Sequence, residues 1–385
     1  MSVAKTVLIL GGGVGGVVAA NRLRKALPAQ HRVILVEREA SHVFAPSLLW
    51  LMVGTRTLSG ISRRLDGLRR KGIEVVRGEV ESIDPERKRV VVTGQVLEGD
   101  YVIVALGADF SPETVPGLAE GGYTFCTPAG AENLRVALGE FKGGRLLMLT
   151  AAPAYKCPAA PYEAAMLIEA DLRRRGLRHR TQIDLFAAEP GPMGVAGPDV
   201  SRAVRAMVES MGIGYHPEHQ VVTVDAAVRR ARFSNGAEAD YDLLVYVPGH
   251  RPPRAVAEAG LVGESGGVSV DRHTLATRFE GLYAIGDVTT IPLKLGKPLP
   301  KAGVFAHAQA EVVARRIARA VTGRGKPAEF NGHGECFVET GGGRAGFGSG
   351  DFYAEPAPRV TLRGPNRFWH AGKVLLEKTW LWRWF

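Results

Sequence analysis

Val7-Leu8-Ile9-Leu10-Gly11-Gly12-Gly13-Val14-Gly15-Gly16 decides the fold. Its first four residues form a short continuous apolar run, the pattern of a strand buried on both faces. The next six fit G-x-G-x-x-G, with Gly11, Gly13 and Gly16 in the fixed places. Residues 17–27 then read as a helix ended by Pro28. Residues 33–36 read as a second strand with Glu37 at its end. Strand, glycine turn, helix, strand and acid in this order predict a dinucleotide site. Gly11 permits the tight turn, Gly13 lets the backbone approach a pyrophosphate, and Gly16 lets the helix pack on the strand. The helix N-terminus offers free N–H groups to the phosphates, and Glu37 can accept the ribose hydroxyls. A purely structural glycine turn is the alternative reading.

The composition agrees with a globular protein of two or three domains. The 385 residues are 45% apolar and 23% charged, which excludes a largely disordered or collagen-like chain. Lys and Arg outnumber Asp and Glu by 49 to 39, so an anionic partner is expected: nucleic acid, a membrane surface or an acidic cofactor. The three cysteines, Cys126, Cys157 and Cys336, include no C-x-x-C pair. No metal site or haem attachment is therefore expected, and an odd count excludes a fully paired framework. There is no apolar run long enough for a spanning helix, and residues 7–10 run into glycines rather than into a signal-peptide cleavage site.

Two later segments extend the reading. Asp100-Tyr-Val-Ile-Val-Ala-Leu-Gly-Ala108 is an apolar strand closing on a glycine turn, and Gly281-Leu-Tyr-Ala-Ile-Gly-Asp287 is a strand ending in Gly286-Asp287. With the first motif they resemble the ordered signatures of the two-dinucleotide-domain flavoproteins. That resemblance implies FAD, with Asp287 on its ribityl chain; an ordinary helix-capping Asp is the alternative. Members that oxidise NADH or NADPH carry a second glycine fingerprint after a strand corresponding to residues 145–150. Here that strand runs into Ala151-Ala-Pro-Ala-Tyr-Lys-Cys-Pro-Ala-Ala-Pro161, which has no glycine. Its prolines also remove N–H donors a phosphate needs. A second Rossmann-like domain without a nicotinamide site is expected.

Cys157-Pro-Ala-Ala-Pro-Tyr-Glu163, Leu299-Pro-Lys-Ala-Gly-Val-Phe305 and the late Cys336 resemble the sulfide:quinone oxidoreductases and the flavoprotein subunits of flavocytochrome c sulfide dehydrogenases. The resemblance implies that Cys336 lies near the flavin C4a, that Cys157 carries persulfide, and that Lys301 lies near flavin and quinone. Cys126-Thr-Pro128 matches a family cysteine that in some members attaches FAD covalently and in others does not. Two thiols suit the chemistry, because sulfide opens a disulfide or polysulfide bridge to give a persulfide. The alternative is three small buried cysteines. Two family histidines are replaced, by Gly130 and Val195. Glu163 is then the remaining acid/base candidate, or else a helix N-terminal acid held by the dipole. His307 is equally readable as a surface or capping residue.

The C-terminus reads differently. Residues 356–385 hold six Arg or Lys against one acid, Glu377, and four of the five tryptophans. Residues 372–385 as a helix are about 21 Å long, too short to span a bilayer. Trp beside basic residues suits an interfacial helix on anionic lipid, or a helix docked on the core or on a partner subunit. Phe337, Phe347 and Trp380 are candidates for a quinone ring, as are Phe352 and Tyr353.

The expectation is an α/β chain of two Rossmann-like domains with a C-terminal membrane-associated segment. Residues 1–115 and 266–320 build the FAD domain, 116–265 the second domain, and 321–385 a quinone and membrane-interface region. The expected activity is FAD-dependent oxidation of sulfide to zero-valent sulfur or polysulfide through Cys157 and Cys336, with electrons passed to a membrane quinone. The expected location is peripheral on the cell membrane, on either face, with no nucleic-acid partner and a homo-oligomer possible. The rivals are a sulfide dehydrogenase serving a cytochrome c, an NADH:quinone oxidoreductase, and a flavin redox sensor without turnover.

Overall fold

The computed structural model describes residues 3–385. The opening motif folds as β1 (Thr6–Leu10), α1 (Val14–Ala26) and β2 (Arg32–Glu37). These strands pair in parallel, and β3 (Tyr101–Val104) pairs with β1 on its other side. Leu282–Ala284 and Glu74–Arg77 complete a five-stranded parallel sheet in the order Leu282–Ala284, β3, β1, β2, Glu74–Arg77. Successive β1 side chains point to opposite faces. Val7 and Ile9 meet α1 and the later helix α3 (Gly303–Thr322), whereas Leu8 and Leu10 meet Ile83, Val90 and Val92 of a three-stranded antiparallel layer. A sheet covered on both faces needs apolar residues at every strand position.

The middle of the chain repeats the plan. β4 (Gly144–Thr150) is central in a four-stranded parallel sheet, between Thr181–Phe186 and Leu243–Val247. The helix α2 (Ala160–Arg174) follows β4 after a loop that carries Cys157. Its buried face packs with Leu146 and Met148 in a core that also takes Leu48–Met52 from the first part of the chain. Asp109–Phe110 and His250–Arg251 pair in antiparallel fashion where the chain crosses between the two sheets.

Three antiparallel strands follow, β5 (His333–Gly341), β6 (Arg344–Asp351) and β7 (Arg359–Asn366), and then α4 (Arg367–Arg383). The side chain of Asn366 caps α4 by accepting from the Trp369 N–H, a favoured arrangement at a helix start. α4 begins five residues before the 372–385 helix expected from sequence. No helix among the described residues is long and apolar enough to cross a membrane.

Candidate functional site

The glycine turn has the geometry of a cofactor cradle. Gly11 has φ +107°, and a Cβ there would lie 2.3 Å from the Ala105 carbonyl oxygen. A Cβ on Gly16 would lie 1.8 Å from the Gly11 oxygen, so only glycine lets α1 start so close to β1. A Cβ on Gly13 would meet nothing within 4 Å, so this glycine faces open space at the start of α1. No side chain caps α1 and no acid lies in its first turn, which leaves N–H donors and the positive dipole end for an anion. Glu37 bends back over the turn, accepting from the Gly12 and Glu39 N–H groups.

The second signature lies across the sheet. Gly286 has φ +74°, and its N–H donates to Gln309 Oε1 of α3 at 2.7 Å. The Asp287 carboxylate stands 3.5 Å from Lys156 Nζ, on the loop after β4. Lys301 donates to the carbonyls of Asp287 and Thr289 at 2.6 and 2.9 Å, pinning the Gly-Asp turn. Burial holds the Lys301 ammonium below its usual range. Cys126 lies close enough to Lys156 for that charge to oppose the burial that pushes its thiol up to about 11.

The Lys301 carbonyl accepts from the Cys157 N–H at 2.8 Å. Cys157 has φ +58°, a left-handed conformation that a side chain adopts only where its surroundings impose it. Burial pushes its thiol well above the usual range; Cys336 and Glu163 raise it further and Lys373 lowers it. Cys336 lies on β5, and burial with Glu163 pushes its thiol up to about 12 against Lys373. The two cysteines thus share one electrostatic neighbourhood, and both are free thiols here.

Glu163, on the first turn of α2, is only 2% exposed. Its Oε1 accepts from Lys373 Nζ of α4 and from the Glu339 N–H of β5, each at 2.8 Å. The helix-terminal reading of Glu163 is therefore incomplete, because its partners come from two distant elements. Glu339 is buried too, and His370 Nδ1 lies 3.1 and 3.0 Å from its two oxygens.

Phe337 and Phe347 face each other across β5 and β6 with ring centroids 5.2 Å apart, and Phe347 stacks on Trp369 at 4.5 Å. Trp380 does not join them. It stacks on His42 at 4.7 Å and tilts against Phe44 in the core of the FAD domain. Phe352 and Tyr353 pack against Phe305 and Phe330. His307 rides on α3 beside Glu311 and Trp384.

α4 is amphipathic in an unexpected sense. Its inward stripe holds His370, Lys373, Glu377 and Trp380 and is continued by Trp384 at the C-cap, with Glu377 bonded to Ser47 and Arg56. Lys373, counted above among the basic residues of an interfacial segment, is a buried site residue instead, because Glu163 holds it. The outward stripe exposes Phe368, Leu375, Leu376 and Trp382, the last at 82%.

In the second domain, the place after β4 is closed from within. Buried Glu189 accepts from Thr150 Oγ1 at 2.8 Å and from the hydroxyls of Tyr155 and Tyr162. Thr127 caps the helix Pro128–Glu140, its hydroxyl accepting from the Gly130 N–H, and a Cβ on Gly130 would lie 2.5 Å from the Thr124 oxygen, so no histidine fits.

The family model described as pyridine nucleotide-disulphide oxidoreductase matches residues 5–312. The chain belongs to this family. As a pyridine nucleotide-disulphide oxidoreductase it is an FAD-dependent enzyme, and the cradle at Gly13, the bent-back Glu37 and the Asp287 turn fit that cofactor. Among the family's curated members, the chain is 28% identical to the sulfide-quinone reductase of Aquifex aeolicus, covering 99% of this chain and 91% of that one. The crystal structure of the sulfide:quinone oxidoreductase from Aquifex aeolicus superposes with a TM-score of 0.90 at 26% identity, with the same coverage. The mitochondrial sulfide:quinone oxidoreductase of Mus musculus is 25% identical over 91% of this chain and 79% of its own. A type II NADH:quinone oxidoreductase of Staphylococcus aureus is 22% identical over 83% of each chain. The two sulfide-oxidising relatives and the superposition agree with the resemblance carried by the cysteine and Gly-Asp motifs.

The structure brings Cys157, Cys336 and Glu163 together, and gathers Gly286, Asp287, Lys301 and Cys126 around Lys156. Sequence reasoning missed Lys373, Glu339 and His370. Their signal was present: 370, 373, 377, 380 and 384 form one helical stripe, and charged residues in it next to two Trp mark a buried polar network.

Proposed function

We propose that this enzyme oxidises sulfide at Cys157 and Cys336 to zero-valent sulfur or polysulfide and passes the electrons to a membrane quinone. The observation that carries this is the shared environment of the two thiols. A strained Cys157 and a strand-borne Cys336 face one buried Glu163–Lys373 pair, beside the Lys301 loop that shapes the FAD site.

Two-electron oxidation of the two thiols, with bound FAD as the acceptor and quinone as the final oxidant, would give a disulfide. HS⁻ then attacks one sulfur, giving Cys–S–SH and releasing the other as thiolate, and a second HS⁻ takes the outer sulfur away as HSS⁻, returning both cysteines to thiols. Bound FAD supplies a two-electron acceptor, held by the Gly11–Gly16 turn, Glu37 and Asp287. Overall, HS⁻ + quinone + H⁺ gives S⁰ + quinol. Lys373 stabilises thiolate at either cysteine, because its ammonium lowers both thiols. Glu163 opposes thiolate while charged and takes up that role's converse: its carboxylate is placed to receive or return a proton. The family resemblance assigns persulfide to Cys157 and the flavin-facing position to Cys336, and Cys126 lies close to Lys156.

Phe337 and Phe347, with Trp369, supply an aromatic wall beside Cys336 for a quinone ring. The exposed apolar stripe of α4, flanked by Arg63, Arg64 and Arg70 around Leu381 and Trp382, suits the surface of an anionic bilayer. That arrangement supports a peripheral position on the membrane, where the lipid-soluble oxidant resides. The tyrosines closed on Glu189 favour sulfide over NADH as the reductant.

The test is an anaerobic flavin spectrum of the purified protein. Sulfide should bleach the flavin and a short-chain quinone restore it, with NADH inert. Bleaching by NADH alone would sink the proposal.

A further inference from the structure

We propose that His370 and Glu339 form the proton entry to the sulfur site, exchanging protons between solvent and the buried Glu163–Lys373 pair. The inference rests on the sulfide and quinone reading above. That reaction takes up one proton per HS⁻ consumed, while HS⁻ releases a proton at sulfur and quinone takes two. The Glu163–Lys373 pair is almost wholly buried, so protons that pass through it need a conduit.

The groups line up from surface to interior. The His370 side chain keeps 31% of its surface exposed, and its Nδ1 lies within hydrogen-bond distance of both Glu339 oxygens. Burial raises the Glu339 carboxyl, and Lys373 and His370 lower it. Lys373 feels both carboxylates, Glu163 and Glu339, and bonds Glu163 directly. Glu163 in turn acts on Cys157 and Cys336. The remaining groups packed here are Trp50, whose ring meets His370 at 5.9 Å and Lys373 at 5.1 Å, and Arg56, which lies over the same ring and pairs with Glu377. Arg56 and Glu377 neutralise each other, so Glu339 is the acid left to face His370. Gly130 and Val195, where the family resemblance leads one to look for histidines, carry no titratable side chain.

The test uses the full-length FAD-loaded protein, with sulfide and a short-chain quinone, between about pH 6 and pH 9. H370Q should lose about tenfold or more in kcat with KM little changed. Added imidazole should restore part of that rate, and the solvent isotope effect should rise. E339Q should show the same loss and the same isotope effect without imidazole rescue. A wild-type pH profile in H370Q overturns the inference. So does a loss that imidazole leaves untouched while the isotope effect stays at the wild-type value, because that pattern is structural damage. If the wild-type protein itself does not turn over sulfide, the functional reading fails and takes the inference with it; turnover with an unaffected H370Q removes the proton entry alone.

Discussion

Lys373 Nζ and Glu163 Oε1 lie 2.8 Å apart, joining α4 to the first turn of α2 across 210 residues of chain. Both side chains are almost wholly buried. Taking two charges out of water is costly, and their attraction offsets that cost only while both are present. K373M leaves Glu163 buried and unpaired, so it should destabilise the protein by about 3 kcal/mol. The double variant K373M/E163Q should recover much of that loss. Chemical denaturation of the three FAD-loaded proteins measures it; equal stability of K373M and wild type would mean the pair is not formed in solution.

The same pair sets the thiols, and the signs are opposite for its two members. Glu163 raises Cys157 and Cys336, whereas Lys373 lowers them. With both thiols held above their usual range, alkylation of the reduced protein should climb about tenfold per pH unit through neutral pH, following the thiolate fraction. E163Q should shift that curve to lower pH and K373M to higher pH. Iodoacetamide kinetics followed by mass spectrometry at Cys157 and Cys336 reads both shifts. A shift of E163Q toward higher pH contradicts the arrangement.

C157S and C336S should each abolish bleaching by sulfide while leaving FAD bound, because the opening of the bridge needs both sulfurs. C126S should keep the sulfide reaction. Absorbance at the flavin band, before and after anaerobic sulfide, distinguishes them. Full bleaching in either of the first two variants would remove the cysteine pair from the mechanism.

The glycine turn separates folding from cofactor binding. Gly16 has no room for a methyl group and Gly13 has open space. G16A should therefore cost about 1–3 kcal/mol of stability through overpacking. G13V should leave the apoprotein's stability close to wild type and weaken FAD by roughly tenfold, about 1.4 kcal/mol. Thermal melts with and without added FAD separate the two effects. A destabilised G13V apoprotein would show that its side chain meets protein rather than cofactor.

Exposed Phe368, Leu375 and Trp382 give a membrane test that spares the inward stripe. Replacing all three with Ser should release the protein from vesicles containing anionic lipid, with flavin content and sulfide bleaching preserved. Cosedimentation is the measurement. Unchanged binding would move the membrane contact away from α4.

The FAD half was legible in sequence because a glycine turn states its own geometry. Gly11 and Gly16 each have a steric reason to be glycine that appears in the structure, and Gly13 faces open space at the start of α1. The cysteines and Glu163 were legible through their setting in the Cys157-Pro-Ala-Ala-Pro-Tyr-Glu163 segment. Lys373 was not, because a basic residue near the chain end looks the same whether it meets lipid or a buried carboxylate. Trp380 misled for a related reason. Its indole is apolar enough for a quinone or a core, and only the fold shows that His42 takes it. Glu189 was hidden because three hydroxyl donors reach it from β4, the following loop and α2.

The long separation between Glu163 and its cation also has a meaning in time. At a synthesis rate of about 5–20 residues per second, Glu163 waits on the order of ten seconds or more before Lys373 exists. For that interval α2 has no cation to bury beside its first turn. The parallel sheet of the FAD domain waits as well, since its edge at Leu282–Ala284 follows β3 by a whole intervening domain. Nascent chains therefore pass through a stage in which Cys157 is present and its electrostatic control is not.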